Sequence, residues 1–71
     1  MMKNTLPKVH DPVLEQLAKK YDNRSEAIVE ILAEIQSERG SLTAETISNT
    51  AKLLGIPPEK AFGVASFYSM S

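Results

Sequence analysis

Ile28-Val-Glu-Ile31-Leu32-Ala-Glu-Ile35-Gln36-Ser-Glu-Arg-Gly40 is the stretch on which the fold turns. Ile28, Ile31, Leu32 and Ile35 recur at i, i+3, i+4 and i+7, the spacing that lines one face of an α-helix. Gly40 follows the last periodic residue, where a helix most readily ends in the left-handed conformation. Upstream, Asn23-Arg-Ser-Glu26 reads as a capping box, with Asn23 or Ser25 as the cap of this helix. Asp22-Asn23 breaks an earlier helix that opens on Asp11-Pro12, with Asp as N-cap and proline at the first helical position. Leu14, Leu17, Ala18 and Tyr21 give that helix a single apolar stripe.

Downstream, Thr43 is a good N-cap for a third helix, with Glu45 in the first turn, where the helix dipole favours negative charge. Ile47, Thr50, Ala51 and Leu54 form its inner face, Gly55 stops it, and Ile56 plugs the turn. Pro57-Pro58 suits the start of a fourth helix, because neither residue has an N–H to satisfy. No strand-like alternation of any length occurs. The expected fold is all-α, a small four-helix bundle with short connections. Residues 1–10 read as a flexible lead-in and 11–71 as the bundle, with helices at about 12–21, 24–39, 44–54 and 58–68.

Size and composition narrow the chemistry. A chain of 71 residues builds one domain near the lower limit for a single unstapled core. It has no cysteine, and His10 is its only histidine, so neither a disulfide nor a protein-held zinc or iron–sulfur site is expected. Eight basic and nine acidic residues leave a net charge of −1, which provides no cationic field for nucleic acid or anionic lipid. Phosphate loops, Gly-x-Ser-x-Gly and Ser/His/Asp sets are absent from the sequence, and no catalytic residue is assigned. Without a membrane-spanning apolar run or a secretory leader, the expected location is cytoplasmic, peripheral to a membrane complex if attached to one.

Three features bear on binding. Glu26, Glu30, Glu34 and Glu38 form an i, i+4 row that reads as a solvated outer face met by Lys19, Lys20 or Arg24. The stretch Ile47 to Ala61, with alanine and then glycine four residues later, has the outline of a helix-turn-helix. Its second helix offers only Lys60 as a cation beside Glu59, Phe62, Val64 and Phe67, a poor reader of a DNA groove. That last helix is apolar nearly all round. Phe62 and Phe67 fall outside its Ala61–Val64–Ala65–Tyr68 stripe, and Gly63 sits inside a helix at a cost of about 1 kcal/mol, which suits close approach by another backbone. Phe62, Phe67 and Tyr68 are the side chains that so small a bundle can least easily bury, and they are the candidate partner-binding residues.

From Val29 to Met70 the chain resembles the thioredoxin-like iron–sulfur subunit of NADH-oxidising complexes. The resemblance is carried by Ile31 to Gln36, Gly40, Leu42, Ala51, Leu54 to Pro57, and Gly63-Val-Ala-Ser-Phe-Tyr-Ser-Met70. Ser41 departs from a position that is often aromatic in the family, and Ser71 from one that is usually apolar. Such subunits occur in respiratory complex I and in NAD-linked hydrogenases and formate dehydrogenases. In them, a thioredoxin-like domain that follows the helices holds a [2Fe–2S] cluster on four cysteines and adjoins the flavin- and NADH-binding subunit. None of those ligands maps onto this sequence.

The resemblance therefore implies a cofactor-free helical scaffold or docking module of an NAD(H)-linked electron-transfer oxidoreductase. The [2Fe–2S] cluster would lie only in the family's following domain, with no turnover by these residues alone. Its implied partner is the flavin- and NADH-binding subunit, with self-association through a bare junction face as a further expectation. A free-standing helical interaction or assembly module is the alternative, and a DNA-binding helix-turn-helix stands behind both.

Overall fold

The computed structural model describes residues 11–67, so the expectations for the lead-in at 1–10 and for Tyr68 lie outside the described residues. Four α-helices follow in order: α1 (Pro12–Lys20), α2 (Ile28–Arg39), α3 (Ala44–Leu54) and α4 (Pro58–Ala65). No strand occurs among the described residues, and the molecule is a small all-α globule. Ile28, Ile31, Leu32 and Ile35 of α2 are all buried, the last two completely. Leu14, Leu17 and Ala18 of α1, Ile47, Ala51 and Leu54 of α3, and Ala61 and Ala65 of α4 join them in one core. The hydrophobic contact of this continuous cluster, rather than helix propensity, is what stabilises helices of only eight to twelve residues.

The helix ends explain the path of the chain. Asp11 caps α1, its Oδ1 accepting from the Leu14 N–H at 3.4 Å. Thr43 caps α3, its Oγ1 accepting from the Thr46 N–H at 3.1 Å. Inside α3, the buried Thr50 hydroxyl donates to the Thr46 carbonyl at 2.8 Å, which removes the penalty of an unpaired polar group in the core. Gly55, at φ 69°, ends α3. The Ile56 N–H returns to the Ala51 carbonyl at 3.0 Å, and the Ile56 side chain packs against the core. This closure, with a left-handed residue followed by an apolar anchor, turns the chain sharply into α4.

The entry to α2 differs from the expected capping box. Asp22 and Asn23 both take left-handed conformations, at φ 58° and 55°. The Asp22 N–H donates to the Lys19 carbonyl at 2.9 Å and the Asn23 N–H to the Ala18 carbonyl at 2.7 Å. Asn23 thereby closes α1, four residues before α2's own cap position at Ala27. Ser25 does not cap α2 either. It opens a 3-10 turn, Ser25–Ala27, and α2 starts at Ile28 behind an Ala27 cap that has no side-chain hydrogen bond. The other difference is at α4, which ends at Ala65 instead of running to about residue 68.

Candidate docking surface

Helix α4 starts where Pro57 and Pro58 fix an extended residue followed by the first helical turn. Its short length leaves room for a single inward row. Ala61 and Ala65, one turn apart, are buried, and their small side chains let α4 lie close to α3, its most extensive packing partner. Val64 is half-buried against the same core. Glu59, Lys60, Phe62, Gly63 and Ser66 are exposed. At the end of α4 the backbone tightens. The Ser66 N–H donates to the Phe62 carbonyl at 3.0 Å, and the Phe67 N–H to the Val64 carbonyl at 3.1 Å. The Ser66 hydroxyl donates to the Gly63 carbonyl at 2.7 Å.

This geometry sets the two phenylalanines outward, Phe62 at 39% exposure and Phe67 at 79%. Between them, Gly63 faces open space, and a Cβ added there would meet nothing within 4 Å. Its lack of a side chain is therefore not required by packing within the described residues. Two of the three candidate partner-binding residues are thus exposed, Phe62 on α4 and Phe67 in the turn after it, and the third, Tyr68, lies outside the described residues. Val13 and Val29 are also exposed apolar side chains, at 37% and 46%, on helices whose inward stripes gave no reason to single them out.

The polar groups gather elsewhere. Glu34, from the acidic row on α2, accepts from Lys20 Nζ at 3.0 Å and from the Tyr21 hydroxyl. The Tyr21 hydroxyl and the Lys20 ammonium hold the Glu34 carboxyl below its ordinary value, and the bond to Glu34 raises the Tyr21 phenol. Glu34 is accordingly held as a carboxylate, the opposite of what a general acid near neutral pH requires. At the other end of α1, Arg39 donates to the Asp11 carboxylate at 2.7 Å. That bond, ahead of the contribution from the Leu14 N–H, lowers the Asp11 pKa.

Arg24 reaches Glu26 at 4.0 Å, so the row is met by Lys20 and Arg24. An open depression between Tyr21, Arg24, Glu26, Ala27 and Glu30 carries both signs of charge and gathers no catalytic set. The sequence pointed to Lys20 and Arg24 as partners of the acidic row, but not to the Tyr21–Glu34 bond or the Asp11–Arg39 pair. The outline of a helix-turn-helix is present in α3 and α4, but the exposed side chains of α4 carry one cation, Lys60. A surface built of Phe62, Gly63 and Phe67 suits a protein contact better than a phosphate backbone.

Comparison with known proteins agrees with the pattern read from Ile31 to Met70. The model of the family described as thioredoxin-like [2Fe-2S] ferredoxin matches residues 14–71. The NADH-quinone oxidoreductase subunit 2 of Thermus thermophilus is 41% identical over 58 residues, which cover 79% of this chain and 32% of that protein. The chain thus spans about a third of the curated relative it matches. No solved structure gives a significant match. No helix among the described residues is long and apolar enough to cross a membrane.

The cofactor in the family's description does not fit the residues present. A [2Fe–2S] cluster is held by cysteine thiolates, with histidine replacing some of them in one variant, and this sequence offers no cysteine and a single histidine. Among the described residues, no three or more histidine, cysteine, aspartate or glutamate side chains form a group suited to a metal ion. The matched residues take in all four helices of this chain, apart from the first two residues of α1. With residues 14–71 matched, the chain belongs to the thioredoxin-like [2Fe-2S] ferredoxin family.

Proposed function

We propose that these residues are the helical scaffold of an iron–sulfur subunit in an NAD(H)-linked electron-transfer oxidoreductase. Their work in this reading is to dock the subunit on the flavin- and NADH-binding subunit. The docking surface is the outward side of α4 and the turn after it, Phe62 and Phe67, with Tyr68 next in sequence. The observation that carries the reading is the 79% exposure of Phe67, just beyond the end of α4, together with the exposure of Phe62 on that helix. Exposed aromatic side chains on a small domain cost solubility, and a partner that covers them removes that cost. The family match and the identity to a subunit of an NADH-quinone oxidoreductase support the choice of partner. In this role the segment performs no chemistry, and cluster binding belongs to cysteine-bearing residues outside it.

The test is capture of the purified domain by the NADH-binding flavoprotein from the same source, with Phe67→Asp in parallel. Phe67 lies outside the buried core, so the substituted domain is expected to keep its helical circular dichroism and lose capture. Capture that survives the substitution would remove Phe67 from the surface. A folded wild-type domain that is not captured at all would remove the docking role.

A further inference from the structure

We draw no further inference here: the strongest candidate, the outward face of α4 around Phe62, Gly63 and Phe67, belongs to the surface already proposed for docking, and nothing in the structure shows what else covers it.

Discussion

Where α1 lies along α2, charged groups tie both ends of the contact: Asp11 to Arg39 at one end, and Lys20 with Tyr21 to Glu34 at the other. Where α3 turns into α4, the two helices pack closely with Ala51, Ala61 and Ala65 buried in the core, and the side-chain hydrogen bonds seen on them are local. The first seam uses polar groups that stay partly wet and therefore respond to pH and salt. The second gains its closeness from small residues, and a helix held that way needs only a narrow inward row. Large side chains on its other faces are then left exposed, as Phe62 is, and Phe67 is exposed just beyond the helix end.

The most damaging change should be one in the core that all four helices share. Leu14 is buried at 1% exposure and anchors α1 in the common core. Leu14→Ala is expected to cost about 2–5 kcal/mol in chemical denaturation, enough to unfold much of a domain this small. A loss below about 1 kcal/mol would mean that the polar ties, and not the core, hold α1.

Ala61→Leu attacks the packing of α4, chiefly against α3. Ala61 is fully buried, and a larger side chain there should push α4 from α3 at about 1–3 kcal/mol, read as a lowered melting temperature. The first seam is separated by Asp11→Ala and Asp11→Asn. Alanine removes both the N-cap and the Arg39 partner, with a cap loss of about 0.5–2 kcal/mol, whereas asparagine retains the cap and loses only the charge pair. Similar losses for the two variants would assign the stabilisation to the ion pair instead of the cap.

A pH titration probes the first seam through its two carboxylates. Asp11 and Glu34 both have depressed pKa values in the folded state, because Arg39 and the Tyr21–Lys20 pair favour their charged forms. A group of this kind contributes its stability above its unfolded pKa and loses it as pH falls through its folded pKa. The domain should therefore lose stability below about pH 4, the ordinary carboxylate range, and Glu34→Gln should flatten that fall. If Glu34→Gln leaves the acid limb unchanged, Glu34 does not tie the helices.

The smallest effect has the opposite sign. Gly63→Ala adds a Cβ into open space and is expected to stabilise the isolated domain by about 0.5–1 kcal/mol. If a partner's backbone lies close to Gly63, the same substitution should weaken capture while raising the melting temperature. A loss of stability would instead place Gly63 against its own chain.

Most of the apolar side of this comparison was legible in the sequence, and most of the polar side was not. Ile28, Ile31, Leu32 and Ile35 declare their face because burial acts on every turn of α2. Thr43 and Gly55 mark helix ends because the local backbone requires them there. Asn23 was ambiguous: the same residue type can close one helix or open the next, and the left-handed closure of α1 took it. The pairs Asp11–Arg39 and Tyr21–Glu34 join residues 28 and 13 positions apart. A sequence with seventeen charged residues permits many such pairings, and only the packing of α1 on α2 selects these two. The exposure of Phe62 and Phe67 was legible as a departure from the inward stripe of α4. The early end of that helix was not, because it rests on the tightened turn at Ser66 and Phe67.

The most direct measurement is hydrogen–deuterium exchange of the domain, alone and with the NADH-binding flavoprotein. The docking account predicts that added protection is concentrated at residues 62–67, with the α1–α2 seam at 11–39 exchanging as it does in the free domain. Protection gained on α1 and α2 but not at 62–67 would contradict it and move the partner's surface to the charged side of the molecule.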